Sequence, residues 1–477
     1  PILYCGLLSL LLAPQGFLLA QGKTRILLVV VSLLCLLPLL FPFFRHLFWG
    51  FTGDYFRTLC LFQTIVFLVV ALQALSSVEN HGKFSRVILF FSLLIPLGLL
   101  YAPLLAQHDA FVPSIRLTAS LFLLAHFILL LGLSSNRYKT LARGGMVLAI
   151  CLELWWASSN AVNNRATLYA HELDQPVGYN DETVEAVHYL RSIDRSFYRV
   201  EKTYSSGPSE HLSLNDAQIQ QFFGTSCYHS FNQPSYIAFL RATDVIPTAS
   251  EARARWAFGL RGRPILQSLA SVKYLLTRRD ETQLTRKGYV MMRTFGDVRL
   301  FRNVNALPLG FAYDRYALRA EFSMLASNAK DRILMKAFVI DEEQRERLNG
   351  FEQFNVENVD TAYSERDYAA DVEVLRRDTL AISEQNHNLV KGTISLEKPK
   401  LLFFSIPYDR GWTARVNGVT VPIERVNAGM MGIVLERGDH QVELAYRSPF
   451  LAAGAIASGL SVLVYCVVVV FPIRKKL

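Results

Sequence analysis

The chain has 477 residues, of which 51% are hydrophobic and 19% are charged, and its mean hydropathy is +0.24. This composition is too apolar for an ordinary soluble protein and predicts one part that spans a membrane and another that lies in water. The formal net charge of +9 does not predict a nucleic-acid partner, because no run of Lys and Arg alternates with aromatic residues.

Apolar segments of membrane-spanning length fill most of residues 1–162, which hold only 14 Asp, Glu, Lys and Arg residues. About 20 mostly apolar residues suffice for a helix to cross the hydrocarbon layer. Seven segments fit this criterion: residues 2–20, 26–44, 59–75, 87–105, 117–133, 146–162 and 450–473. The sequence therefore predicts about six transmembrane helices in 1–162 and a last one at 450–473. Because Pro1 already lies in an apolar run, we expect the chain to be a fragment of a longer protein.

Basic residues between the apolar segments give a predicted orientation. They collect in alternate loops and after the last segment: Lys23 and Arg25, Lys83 and Arg86, Arg137 and Lys139, and Arg474 and Lys475. Short cytoplasmic loops carry such an excess of Lys and Arg. We therefore predict a multi-pass protein of the plasma membrane, with a cytoplasmic basic tail at 474–477 and residues 163–449 outside the cytoplasm.

The large hydrophilic region, residues 163–449, is predicted to contain three parts. Residues 163–316 carry helix caps and strand patterns and are predicted to form an α+β domain, and 317–366 form a helical connector. Residues 367–449 contain short alternating segments, including one at Val372 and Val374, and are predicted to form a small antiparallel β-sandwich. Within it, Asn417-Gly418 favours a type I′ hairpin because both central residues need positive φ.

Beside this hairpin lie four candidate substrate-binding residues, Tyr408, Asp409, Arg410 and Trp412. A sugar presents an apolar ring face and a rim of hydroxyls, which suits aromatic rings beside charged groups. The alternative is that the two rings fill the sandwich core, that Asp409 makes a turn, and that Arg410 is solvated.

Three residues of the membrane region are candidates for catalysis. Glu153 lies within an apolar segment, where an ionisable residue is costly and often functional, or else it lies near the outer interface and is hydrated. Asp54 and Arg57 share a short external loop. They could meet an anionic lipid head group or a metal, or they form one local ion pair at the membrane surface.

No cofactor is predicted from motifs. The ten His residues form no HxxH or HExxH pattern, five of the six Cys residues fall in apolar segments, and GxGxxG, GxxxxGK[ST] and GxSxG are absent. A divalent metal therefore has no support from the sequence.

Four segments precede the final apolar run: SVKYLL at 271–276, ALPLGF at 306–311, SIPYDRGWTARVNG at 405–418 and GIVLERGDHQVELAYRSP at 432–449. In this order they resemble the C-terminal part of the YfhO family of bacterial membrane proteins. The resemblance implies a GT-C-type glycosyltransferase. Its sugar donor would be a polyprenyl-phosphate sugar, in which undecaprenyl phosphate carries the sugar among the membrane lipids. The implied acceptor is an envelope glycopolymer such as teichoic or lipoteichoic acid.

The resemblance carries over no catalytic residue. In GT-C enzymes the catalytic acid usually lies in the first external loop, and Asp54 shares only the type of loop, not a motif. Two other classes of function stay open. One is a noncatalytic, membrane-anchored module that binds or assembles envelope carbohydrate, and the other is a lipid or polymer transporter with Glu153 on its pathway.

Overall fold

The structure is a computed structural model that describes residues 5–48, 56–81, 85–102, 113–135, 137–163, 169–172, 175, 177–207, 214–229, 231–279, 288–359 and 363–470. The chain divides into two compact units. Unit 1 comprises Pro1–Arg165 and unit 2 comprises Ala166–Leu477.

The regular secondary structure of unit 1 is entirely helical among its described residues. Its helices are α1 Leu7–Leu19, α2 Gly22–Leu40, α3 Pro42–Phe48, α4 Phe56–His81, α5 Arg86–Leu100, α6 Pro113–Leu133 and α7 Lys139–Val162. Every apolar segment predicted in 1–162 contains a helix. Among the described residues, however, only α4, α6 and α7 are long and apolar enough to cross a membrane, with a fourth span if α2 and α3 count as one.

The second predicted span is broken because of a proline. Phe41 is extended, with φ −118° and ψ 113°, and Pro42 starts a new helix. A residue that precedes proline is disfavoured in the helical region, and proline itself offers no N–H to continue a helix. The break therefore follows from the local sequence.

Helix α1 is held between its neighbours by close packing and one side-chain amide. A Cβ at Gly16 would lie 2.5 Å from the Val70 carbonyl oxygen, so glycine allows α1 to approach α4. Gln15 Nε2 donates to the Ser85 oxygen at 2.7 Å, and the Ser85 N–H donates to Gln15 Oε1 at 3.1 Å. The buried amide is thus satisfied on both sides, as burial of polar groups requires.

Unit 2 contains nine α-helices and eighteen strands among its described residues. The helices are α8 Thr183–Ile193, α9 Asp216–Ile219, α10 Pro234–Ala242, α11 Glu251–Arg255, α12 Pro264–Leu269, α13 Arg319–Ser323, α14 Ser327–Lys336, α15 Glu365–Arg376 and α16 Leu451–Val470. The first ten strands are β1 Arg199–Lys202, β2 Cys227–Tyr228, β3 Trp256–Ala257, β4 Val272–Thr277, β5 Tyr289–Phe295, β6 Val298–Asn303, β7 Gly310–Tyr313, β8 Arg315–Leu318, β9 Phe338–Ile340 and β10 Glu352–Gln353. The others are β11 Ala381–Asn386, β12 Leu389–Leu396, β13 Lys400–Pro407, β14 Trp412–Val416, β15 Val419–Val421, β16 Glu424–Val426, β17 Met430–Leu435 and β18 Gly438–Tyr446.

Five sheets organise these strands. Two of them face each other as a sandwich, in the orders β11-β12-β18-β14-β15 and β16-β17-β13-β7. The α+β region is built on a sheet of order β1-β4-β6-β5, in which β1 and β4 are parallel. Smaller sheets, β10-β8-β9 and β2-β3, complete the unit. A β-rich region after the apolar helices agrees with the predicted fold class.

Strand β13 is buried on both faces. Leu402 and Phe404 contribute to the core between the two sandwich sheets. Leu401 and Phe403 contribute to a second core, which also contains α10, α12 and α14 residues. The edge strand β7, from the predicted α+β region, pairs with β13 in register Phe403 to Phe311. The sandwich and the α+β region therefore share one central strand.

The predicted strand at Val372 and Val374 is wrong, because both residues lie in α15. Ser364 and Asp367 form a capping box at its start. Tyr368, Val372 and Leu375 are then buried at helical spacing. The predicted turn at Asn417-Gly418 is present, with φ of 51° and 82° at the two residues.

We predict that Phe403→Ala and Phe404→Ala each lower the free energy of unfolding by about 3–5 kcal/mol, because each removes a fully buried ring. The exposed Val419→Ala is the control and should change it by less than about 0.5 kcal/mol. Denaturant unfolding of the purified full chain in detergent measures these changes. If the two variants shifted two separate transitions, the two cores would not unfold together and the shared-strand interpretation would be contradicted.

Candidate functional site

A cavity of about 540 Å³ in unit 2 lies between the α+β sheet and the sandwich. Its walls come from the segment between α8 and β1, the start of β4, the segment between β6 and β7, the end of α15, and strand β11. Three bases and one acid line it: Arg195, Lys273, Arg376 and Glu384. Hydroxyl groups of Ser196, Ser271 and Ser383 lie among them. We call this cavity the basic cleft.

The bases of the cleft differ in how they are held. Lys273 Nζ lies 2.6 Å from Asp194 Oδ2. Arg376 pairs with Glu373 at 2.8 Å and also donates to two backbone carbonyl oxygens, those of Val304 and Ala306. Arg195 is exposed and has no ion pair with any residue that the structure describes. The cleft thus presents one unpaired cation and two positioned ones.

Asp194 orients Lys273 and remains ionised. Burial alone would raise the pKa of its carboxyl group, but hydrogen bonds from Lys273, Ser196 and Tyr274 outweigh burial and lower that pKa to about 2. The Ser196 N–H donates at 2.9 Å and the Tyr274 hydroxyl at 2.8 Å. A carboxylate that accepts several hydrogen bonds stays charged at neutral pH.

Aromatic rings adjoin the basic cleft. Phe197 lines it, and its ring centroid lies 5.2 Å from that of Phe223, which in turn lies 5.8 Å from the ring of His387. Phe223 and His387 are exposed. Aromatic faces beside cations and hydroxyls can bind a ligand that combines anionic groups with sugar or polyol units.

In unit 1, the candidate Glu153 is buried in α7 and paired with a histidine of α6. His126 Nε2 lies 2.7 Å from Glu153 Oε2, and the Leu7 N–H donates to Glu153 Oε1 at 2.8 Å. The exposed fractions of the two side chains are 0% for His126 and 3% for Glu153. An apolar cavity of about 430 Å³, lined by leucines of α1 and α4, adjoins the carboxylate.

Sequence reasoning missed His126, although the rule that singled out Glu153 applies to it equally. His126 is a polar residue inside a membrane-length apolar segment, and such residues face the helix-bundle interior and pair with one another. The apolar sequence of α6, interrupted by this one histidine, was therefore enough to indicate His126.

The four candidates beside the hairpin lie at the end of the sandwich, and Tyr408 and Trp412 do not line the basic cleft. Both rings are half-buried against the sandwich core, and Trp412 contacts Tyr446 with ring centroids 5.2 Å apart. Asp409 Oδ1 accepts the Gly411 N–H at 2.8 Å, which closes a turn, and Arg410 is exposed. Sugar binding by these residues stays a prediction.

The remaining candidates cannot be placed. Asp54 lies outside the described residues, and so does the side chain of Arg57, although its backbone belongs to α4. In the part of the chain that the structure describes, no group of three His, Cys, Asp or Glu residues is arranged to hold a metal ion.

Comparisons with known proteins give one family. The model of a family described as "Bacterial membrane protein YfhO" matches residues 1–367 and 352–458. A relative from Bacillus subtilis (strain 168), described as "Uncharacterized protein YfhO", is 34% identical over 91 residues, which are 19% of this chain and 10% of the relative. The alignment thus spans a tenth of that relative's length. No solved structure matches the chain.

We predict that His126→Leu lowers the free energy of unfolding by about 3–5 kcal/mol, because it removes the imidazole that pairs with the buried Glu153 carboxylate. The double variant His126→Leu/Glu153→Leu should be more stable than His126→Leu alone, since an apolar pair avoids the cost of burying the charge. The control is Ile128→Leu, an exposed position of the same helix. Thermal unfolding in detergent measures all three. A double variant that is less stable than His126→Leu would contradict the prediction.

A second prediction concerns Asp194. Because its folded pKa of about 2 lies below the ordinary value of 3.8, its stabilisation is present above pH 3.8 and is lost as the pH falls through about 2. The stability difference between the wild type and Asp194→Asn should therefore shrink between these two pH values. Asp439→Asn, at an exposed position in β18, is the control and should show no such change. Acid titration of unfolding midpoints tests this, and a constant difference for Asp194→Asn would rule it out.

Proposed function

The chain belongs to the YfhO family of bacterial membrane proteins, and from this premise we propose that it serves a GT-C-type glycosyltransferase reaction. In this reaction a sugar moves from a polyprenyl-phosphate carrier to a cell-envelope polymer such as teichoic acid. We assign the basic cleft of unit 2 to the acceptor polymer. The observation that carries this proposal is that one cleft combines three cations, several hydroxyls and an aromatic ring.

The chemistry of the cleft fits a polymer of phosphodiester-linked polyols or sugars. Phosphate groups are bound well by Arg and Lys, and the three bases of the cleft outnumber Glu384, the one acid in its lining. Arg195 has no ion pair within the described part of the chain, so it can bind a phosphate without first breaking one. The rings of Phe197 and Phe223 offer apolar faces to sugar units.

In the proposed topology this cleft lies on the outer side of the membrane, where the acceptor polymer is. The alternation of basic loops supports an arrangement in which unit 2 lies outside the cytoplasm and the tail at 474–477 inside. Seven membrane helices, rather than the three that meet the length criterion in the described residues, belong to the same proposal. The lipid-linked donor then reaches the reaction from the bilayer and the polymer from the envelope.

Transfer also requires a group that accepts the proton of the acceptor hydroxyl, or a metal that stabilises the departing lipid phosphate. We assign this role to no described residue. Glu153 is buried, with one oxygen on His126 and the other on the Leu7 N–H, which is the arrangement of a carboxylate that holds helices together.

We predict that Arg195→Ala weakens binding of a teichoic acid to the full chain by roughly two- to fivefold, the loss expected for one exposed charge contact. Arg437→Ala, an exposed arginine in the turn before β18, is the matched control and should bind normally. Binding is measured with the full chain in detergent as a function of salt, and the salt dependence should be smaller for Arg195→Ala than for the wild type.

The transfer step is tested in cells that lack the gene for this chain and receive either the wild type or a variant. The sugar content of the extracted polymer should fall without the chain and recover with the wild type. Polymer binding without any change in sugar content would instead favour a noncatalytic glycopolymer-binding module.

In the binding experiment, equal binding by Arg195→Ala and the wild type would contradict the assignment of the cleft to the acceptor polymer.

A further inference from the structure

Strand β1 carries three charged residues in its four positions, and its environment compensates two of them. Lys202 Nζ lies 2.6 Å from Asp216 Oδ2. Glu201 accepts a hydrogen bond from the Thr225 hydroxyl and lies 3.5 Å from Arg261 Nε. Arg199 has no carboxylate within ion-pair distance among the residues that the structure describes. Within this strand, its positive charge is the one that lacks a counter-charge.

The guanidinium of Arg199 is nevertheless held firmly. Its Nη1 donates to the Ala270 oxygen at 2.7 Å and to Ser405 Oγ at 3.0 Å, and its Nη2 donates to the Ser405 oxygen at 2.8 Å. Its Cζ lies 5.0 Å from the ring centroid of Phe197. A guanidinium has five N–H donors. The Nε–H and one Nη2–H therefore have no acceptor within the described part of the protein.

A cavity of about 210 Å³ adjoins this guanidinium. Its polar lining consists of Thr225, Ser226, Cys227, Tyr236 and Ser405 together with Arg199, and no Asp or Glu occurs among the described residues that line it. Burial raises the pKa of the Cys227 thiol to about 11, so this side chain adds no negative charge at neutral pH. Among the described residues of its lining, the cavity therefore has one positive charge and no negative one.

Leaving this charge without a partner is costly. Burial lowers the pKa of Arg199 to about 10, which shows that the surroundings disfavour the cation without removing its charge at neutral pH. Partly desolvated charges in proteins are normally paired, because neutral oxygens replace only part of their hydration. A small anion in the cavity would supply the missing charge and the missing acceptors.

We propose that this cavity is an anion site, in which Arg199 binds a phosphate-sized oxyanion through its two unused N–H groups. The oxyanion is either free inorganic phosphate or the phosphoryl group of a small phosphomonoester. Because Arg199 belongs to β1 and Ser405 to β13, the bound anion strengthens the contact between the α+β sheet and the sandwich. This proposal does not depend on the assignment of the basic cleft to the acceptor polymer.

The test measures binding of inorganic phosphate to the full chain in detergent by calorimetry, with the thermal unfolding midpoint as a second readout. We expect saturable binding and a phosphate-dependent rise of the midpoint. Arg199→Gln keeps a side-chain amide that can donate to Ser405, and it should bind phosphate about tenfold more weakly or worse, the loss expected for a charge-assisted hydrogen bond. Arg195→Gln, in the basic cleft, is the matched control and should retain phosphate binding at this site.

A second variant keeps the guanidinium and removes the space. Cys227→Leu places a larger apolar side chain in the lining, so phosphate binding should be lost although Arg199 is unchanged. Circular dichroism verifies that each variant is folded, and if Arg199→Gln fails to fold, Cys227→Leu decides. The proposal is overturned if the wild type shows no phosphate-dependent stabilisation at millimolar phosphate, or if Cys227→Leu binds phosphate as the wild type does.

Glycerol 3-phosphate distinguishes the two sources of the oxyanion. Competition between it and inorganic phosphate at the Arg199 site supports a phosphoryl group carried on a larger ligand. Binding of inorganic phosphate alone supports a free anion. Loss of binding in Arg195→Gln with retention in Arg199→Gln would place the phosphate in the basic cleft and overturn the assignment to Arg199.

Discussion

The burial of strand β13 on both faces is the constraint on which the rest of unit 2 depends. Four successive side chains, from Leu401 to Phe404, are fully buried, and alternate ones enter two different cores. A strand with this pattern must lie in the middle of a sheet with packed layers on both sides. Because β7 pairs with it directly, the α+β region and the sandwich are joined through backbone hydrogen bonds. The walls of the basic cleft come from these two parts.

In both units, buried charged groups have polar or oppositely charged partners. In unit 1 the carboxylate of Glu153 is satisfied by an imidazole and a backbone N–H. In unit 2 Lys202 reaches an aspartate and a glutamine amide oxygen, Gln220 Oε1, at 2.8 Å. A charged group in low-dielectric surroundings is stable when a polar or oppositely charged partner compensates its charge. Arg199 differs from these groups. Hydrogen bonds fix its guanidinium, but no carboxylate among the described residues balances its charge, and a cavity adjoins it.

The two units of the chain differ in their surface chemistry. The apolar helices of unit 1 suit a lipid environment, whereas unit 2 provides a cleft between two β-rich layers that is lined by three bases and one acid. The basic cleft gains its rigidity from elements that are fixed elsewhere: Asp194 holds Lys273, and Glu373 together with two carbonyl oxygens holds Arg376. Preorganised cations need little rearrangement to bind a polyanion, which lowers the entropic cost of binding.

The sequence by itself determined the features that depend on neighbouring residues. Apolar runs specified helices in residues 1–162, Pro42 broke one of them, and Asn417-Gly418 specified a hairpin, because helix length, proline geometry and positive φ are local properties. Local signals were ambiguous at Val372, where apolar residues two apart suggested a strand but the capping box and the burial of Leu375 favour a helix. Only the tertiary structure decided the rest. The residues that line the basic cleft extend along the chain from Arg195 to Gln385, and His126 of α6 pairs with Glu153 of α7. Such pairings depend on packing between distant segments, which the periodicity of a single segment does not encode.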